Sequence, residues 1–209
     1  MKYSEIRLLI RDGDAFLFRG HDWYSRAIRL WTISPYTHIA LAFWEYDIDL
    51  GKKVLKIIEA VSGAGIRMMN IEDCLEDCNA AGIGVEWWKL TAIEAVLPLN
   101  YHHPIPRDNV SYIIDRTKVI EYAKNQLGKR YASPLQMISS FSLLSKFWHW
   151  LTKTKFTDTN EDRYFCSELA VSSWEAGGAL KTKLAAASSP ADTVKLPYLA
   201  YKCRVHYDG

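Results

Sequence analysis

Two stretches of alternating residues joined by a short polar loop constrain this chain most. In residues 37–44 an extended chain places His38 on one face with Ala40, Ala42 and Trp44, and it places Ile39, Leu41 and Phe43 on the other. Residues 54–61 show a similar alternation. The segment 47–53 between them is polar and contains Gly51, as hairpin loops commonly do. The pattern therefore predicts an antiparallel hairpin, and with it a fold that contains an antiparallel sheet.

Glu59 is out of place in the second of these strands, because it shares a face with three apolar residues. A buried carboxylate is costly unless it is paired. If the hairpin closes near residues 49 and 50, Glu59 pairs with Ala40 and lies diagonally from His38 on one face, roughly 7 Å away at the backbone. A slip of one residue would separate them. The alternatives are an exposed strand end for Glu59 and a core histidine for His38.

A cysteine stands where a polar segment ends and a helical pattern begins. Residues 167–176 have apolar side chains at helical spacing, and Gly177-Gly178 follows as a stop signal. We therefore expect Cys166 at or just inside a helix N-terminus, where backbone N–H groups favour a thiolate. Glu168 in the first turn would oppose that charge. A cysteine packed in the core is the alternative, and a catalytic cysteine also needs a base.

The remaining patterns predict further strands and helices without an internal repeat or a composition break. Strands are expected at 15–19, 66–69, 83–90 and 198–207, and helices at 23–31, 70–78, 115–127 and 134–150, with Asn70 as an N-cap.

Charge and cysteine usage exclude several classes of function. The net charge is only +2, which is no electrostatic footprint for nucleic acid. No apolar run is long enough for a stable membrane span, and no signal peptide is evident, so a cytoplasmic protein is expected.

Cys74 and Cys78, four residues apart, are better explained as core or surface thiols than as metal ligands, and His102-His103 as solvated loop residues. We expect no metal and no other cofactor.

Five short motifs stand out along the chain, at Asp12–Phe18, Tyr36–Leu41, Ile58–Val61, Gly128–Tyr131 and Phe165–Leu169. In kind and order they resemble those of the permuted NlpC-type papain-like cysteine hydrolases, the YiiX-like group, which is related to the lecithin:retinol acyltransferase-like proteins. The resemblance implies an α+β fold with a papain-like core of permuted topology, in which an antiparallel sheet packs against the helix bearing the nucleophilic cysteine. We expect one domain over 1–209. The segment 141–162 departs from the family pattern and is expected to be an insertion or lid.

The resemblance also implies roles for individual residues. Cys166 would be the nucleophile, His38 the base and Glu59 the acid that orients the imidazole, at a place where the related acyltransferases often have a histidine. Tyr131 would lie near the thiol and help the Cys166 backbone N–H to hold an oxyanion. Simple packing explains Tyr131 equally well.

These roles together predict a cysteine-dependent amide hydrolase, a peptidase or amidase that forms a thioester at Cys166. Its substrate would be a small amide, a peptide or an N-acyl compound, lipid-like compounds included. Eight tryptophans and twelve tyrosines are enough to line a cleft for an apolar ligand. The alternatives are an acyltransferase and a noncatalytic module that binds a lipid or an acyl amide.

Overall fold

The computed structural model describes residues 1–21, 23–91, 114–132, 163–179 and 188–209. The predicted helix at 134–150, the predicted lid at 141–162 and the histidines 102 and 103 lie outside the described residues. Within them, no helix is both long enough and apolar enough to cross a membrane.

The described parts of the chain contain an antiparallel sheet with helices on both faces. Its strands are β1 (Ala15–Arg19), β2 (His38–Asp47), β3 (Lys52–Val61), β4 (Gly65–Asn70), β5 (Gly84–Leu90) and β8 (Leu199–Val205), in the order β4-β3-β2-β1-β5-β8. Two short strands, β6 (Arg130–Tyr131) and β7 (Arg163–Tyr164), pair in parallel beside it. The helices are α1 (Tyr3–Ile6), α2 (Trp23–Thr32), α3 (Ile71–Ala80), α4 (Arg116–Lys124), α5 (Cys166–Ala176) and α6 (Pro190–Thr193), with a 3₁₀ turn at Arg7–Leu9. The α+β class predicted from the sequence is confirmed.

The β2–β3 hairpin has the register that the sequence predicted, with Ala40 opposite Glu59. Pairing continues beyond the predicted strand end at residue 44, as far as Asp47 opposite Lys52. Side chains support this extension, because Glu45 accepts hydrogen bonds from Lys56 Nζ at 2.8 Å and from Lys124 Nζ at 2.6 Å.

The alternation along β2 separates two apolar layers. Its odd-numbered residues face α4 and α5, in a cluster that includes Ile39, Leu41, Phe43, Val119, Leu169 and Trp174. Its even-numbered residues face α1 and α3, in a cluster that includes Ala40, Ala42, Ile6, Ile71 and Leu75. The helix that begins at Cys166 is therefore packed against the sheet by the apolar face that the sequence shows.

A fully buried carboxylate joins the sheet to α4. Asp14 accepts hydrogen bonds from Trp87 Nε1 and Leu90 N, both at 3.0 Å, and from Arg116 Nη1 at 2.9 Å. A buried charge is tolerated when it is paired and fully hydrogen-bonded, and this one connects β1, β5 and α4.

Several element ends differ from those that the sequence predicts. Helix α4 ends at Lys124, because the chain turns back at Gly128, whose φ is +81° and whose N–H bonds the Ile66 carbonyl at 3.0 Å. Asn70 does stand at the N-cap of α3, but its side chain makes no capping hydrogen bond. The last strand covers Leu199–Val205, which is shorter than 198–207.

Candidate active site

The site begins with a direct contact between two neighbouring strands. His38 is the first residue of β2, and its Nε2 donates to Oε2 of Glu59 on β3 at 2.7 Å. The Glu59 side chain is 5% exposed and that of His38 is 23% exposed. The observed register brings the two together, because Ala40, two residues after His38, lies opposite Glu59.

Arg67 on β4 binds the other oxygen of the same carboxylate. It lies directly opposite Glu59, and its Nε and Nη2 are 2.9 and 2.7 Å from Oε1. Burial raises the pKa of Glu59, but the bonds and charges of His38 and Arg67 outweigh it, so the pKa lies below its ordinary value. The sequence reasoning missed Arg67. The sequence did hold a signal for this contact. Glu59 on β3 needs partners to offset its burial, and the next predicted strand, 66–69, contains one arginine.

Cys166 is the first residue of α5 and is buried. Its side chain interacts with the ring of His38. Burial lowers the pKa of His38, but the charge and hydrogen bond of Cys166, followed by those of Glu59, raise it to about 10. The structure thus brings Cys166, His38 and Glu59 together, with the imidazole interacting with both the sulfur and the carboxylate.

The short strands β6 and β7 pair in parallel, and β7 ends two residues before Cys166. Tyr131 pairs with Tyr164, two residues before Cys166, and its ring meets that of Phe165 edge to face at 6.0 Å between centroids. Tyr131 also lines a cavity with His38 and Glu59. The tyrosine predicted to lie near the thiol is therefore beside the start of the cysteine helix.

Glu168 accepts a hydrogen bond from the Phe165 backbone N–H at 3.3 Å, inside the first turn of α5. Burial raises the pKa of Glu168 to about 7. At neutral pH this acid therefore carries only part of a negative charge. Its expected opposition to a thiolate at Cys166 is correspondingly weaker.

A cavity of about 320 Å³ adjoins the His38–Glu59 pair. Polar groups on its wall include Thr37, Arg67 and Asp77, and its apolar wall includes Phe18, Ile28, Met69 and Ile83. The thiols of Cys74 and Cys78 also line it. Both are buried on α3 and their thiols hydrogen-bond each other, as expected for core thiols. All four cysteines of the chain are free thiols.

The comparisons with known proteins bear on the fold. No family model matches the chain, and no curated protein matches it. Among solved structures, it is similar to the metalloprotein YiiX of Escherichia coli O157:H7, DUF1105, with a TM-score of 0.52 over 93% of this chain and 97% of that one. The chain has a YiiX-like fold. At 16% identity, this likeness concerns the fold alone.

The description of YiiX as a metalloprotein raises the question of a metal site in this chain. Among the residues that the structure describes, no group of three or more His, Cys, Asp and Glu side chains is arranged to hold a metal ion.

Proposed function

We propose that this chain is a cysteine-dependent amide hydrolase with a permuted papain-like, NlpC-type core. One observation carries the proposal. The His38 imidazole is hydrogen-bonded to the Glu59 carboxylate at 2.7 Å and also interacts with Cys166 at the N-terminus of α5. A nucleophile, a base and a group that orients the base are the parts that thiol-based acyl transfer requires.

The first half of the reaction acylates the sulfur. Because Nε2 of His38 is bonded to Glu59, Nδ1 is the nitrogen left for Cys166. The thiolate attacks the amide carbonyl and forms a C–S bond, and the carbonyl oxygen becomes an oxyanion. The Cys166 backbone N–H and the Tyr131 hydroxyl are the proposed donors to that oxyanion. The imidazolium then gives its proton to the leaving amine, the C–N bond breaks and a thioester remains.

The second half hydrolyses the thioester. The contributions to the pKa of His38 explain how one imidazole gives up a proton in the first half and takes one in the second. Burial lowers the pKa of His38, and the interactions with Cys166 are the largest contributions that raise it. Acylation of the sulfur removes these interactions, so the pKa of the ring falls. The neutral ring can then take a proton from water, whose oxygen attacks the thioester, and the C–S bond breaks to release a carboxylic acid.

Glu59 holds the imidazole in place through both halves. Its lowered pKa keeps it ionised, and the two bonds from Arg67 fix the carboxylate on its other side. An ionised carboxylate stabilises the imidazolium and selects the tautomer with a proton on Nε2.

The cavity favours substrates with an apolar group next to the amide. Its volume of about 320 Å³ and its apolar wall suit a side chain or a short acyl chain. The same cavity favours one alternative of another class, a noncatalytic module that binds an acyl amide. Transfer to an acceptor other than water, as in the lecithin:retinol acyltransferase-like proteins, would share the first half of the reaction.

Intact-protein mass spectrometry after exposure to a mixed amide and ester library tests the proposal. We expect a mass increment on Cys166 that decays in water alone, which indicates hydrolysis. Decay only after an amine or alcohol is added would indicate acyl transfer. Cys166→Ala should abolish the increment, and Cys203→Ala, which removes a buried thiol elsewhere, should keep it. Library members that bind without any increment would favour the binding module.

A further inference from the structure

The outer side of α2 and the turn after it expose apolar side chains beside arginines. Leu30 and Ile33 are 82% and 93% exposed. Together with Pro35, Arg26 and Arg29 they line an open groove of about 610 Å³. We call these five residues the α2 surface.

Ile33 has a backbone conformation that isoleucine disfavours. Its φ is +49°, the one positive φ at a non-glycine position in the described ranges. The Ser34 N–H bonds the Arg29 carbonyl at 3.2 Å, which makes Ile33 the C′ residue of the helix, where glycine is usual. A β-branched residue is an outlier there. Because Ile33 is almost fully exposed, packing of its side chain does not explain why a β-branched residue occupies this position.

The described charged residues that line this groove are both arginines. Arg26 is exposed and Arg29 is half-buried, and the sequence has no acidic residue between Trp23 and Trp44. Apolar side chains flanked by arginines on one side of a helix are typical of segments that lie in the interface of an anionic membrane. The opposite side of α2 faces inward, since Ser25 and Ile28 line the cavity next to His38.

We propose that the α2 surface binds an anionic lipid surface. Leu30 and Ile33 would enter the boundary between headgroups and acyl chains, while Arg26 and Arg29 contact lipid phosphates. Docking in this way brings the helix that lines the cavity against the lipid. This binding does not depend on the chemistry of Cys166.

Flotation of the full chain with phosphatidylcholine vesicles, with and without phosphatidylglycerol, tests the proposal. Binding should require phosphatidylglycerol and weaken with salt. Arg26→Gln and Arg29→Gln should each weaken it about fivefold. Leu30→Asp and Ile33→Asp should weaken it further. The matched controls Leu8→Asp and Ile48→Asp, at positions 85% and 86% exposed, should bind as the unaltered chain does.

Ile33→Gly separates a role in binding from a role in folding. Glycine accepts a positive φ, so this variant should melt at a higher temperature and yet bind vesicles less well. Vesicle binding that ignores phosphatidylglycerol, or equal losses in the control variants, would overturn the proposal. So would a dimer in sedimentation that Leu30→Asp dissolves, because the α2 surface would then join two copies. Cys166→Ala should bind normally, so a failure here leaves the proposed hydrolase untouched.

Discussion

Glu59 and Arg67 stand directly opposite each other on β3 and β4, and the guanidinium of Arg67 binds the carboxylate oxygen that His38 leaves free. The imidazole and the guanidinium thus hold a buried carboxylate from its two sides. This relationship makes Arg67 a positioning residue in the proposed mechanism, since it acts on His38 through Glu59.

Replacing Arg67 should slow the reaction of Cys166 without unfolding the chain. Arg67→Met leaves one oxygen of a buried carboxylate without its partner, which costs about 1–3 kcal/mol. We expect alkylation of Cys166 by iodoacetamide at neutral pH to slow roughly tenfold, which is 1.4 kcal/mol. The alkylation rate of Arg67→Lys should be intermediate, because lysine keeps the positive charge but lacks the several planar N–H donors of a guanidinium. Lys53→Met, at an exposed site on β3, is the matched control. An unchanged alkylation rate in Arg67→Met would show that Arg67 has no positioning role.

Tyr131→Phe distinguishes an oxyanion donor from a packing residue. If the hydroxyl contacts the oxyanion, its loss should slow acylation by p-nitrophenyl acetate by about 10²-fold or more, as the loss of one such donor does. Alkylation by iodoacetamide forms no oxyanion, so its rate should stay the same. Equal slowing of both reactions would indicate that Tyr131 only packs against Phe165 and supports the start of α5.

Glu168 should make the fold less stable as the pH rises. Its folded pKa, about 7, lies above the ordinary value of 4.5, so the stability that it contributes is complete below about pH 4.5 and is lost as the pH rises through 7. Glu168→Gln keeps an acceptor for the Phe165 N–H and cannot ionise. Urea denaturation should therefore show Glu168→Gln gaining stability over the unaltered chain at pH 8 and not at pH 4. The exposed Glu72→Gln is the control, and a gain of equal size at both pH values would refute this account.

Asp14 should be among the most sensitive positions in the fold outside the site. Asp14→Asn leaves Arg116 without its charge partner and mismatches several donors, and breaking such a buried pair costs about 3–5 kcal/mol. The exposed pair of Asp115 and Lys118 serves as the control, since Lys118→Met should change stability by less than about 1 kcal/mol. Chemical denaturation measures both values. Similar small losses in the two variants would mean that Asp14 does not hold β1, β5 and α4 together.

The parts of the site set by local pattern were predictable from the sequence. The loop after residue 47 and the alternation on both sides of it determine the hairpin register, which places Glu59 on the face of His38. The apolar spacing after Cys166 and the stop at Gly177 determine where α5 begins and ends.

What the sequence could not show depends on pairing between distant segments. Arg67 reaches Glu59 only because β4 pairs with β3 in one particular register, and the β3–β4 turn does not reveal that register by pattern alone. The parallel pairing of Tyr131 with Tyr164, which carries Tyr131 to the start of α5, joins strands of two residues each. Such short strands have no periodicity to detect.

The pH dependence of Cys166 alkylation tests the central claim most directly. Iodoacetamide labelling, followed by peptide mass mapping, should modify Cys166 well below pH 8 and faster than the buried Cys74, Cys78 and Cys203. His38→Ala should remove this advantage, and Glu59→Gln should reduce it. Labelling of Cys166 at the rate and pH dependence of an ordinary thiol, unchanged in His38→Ala, would contradict the claim that these three side chains act together.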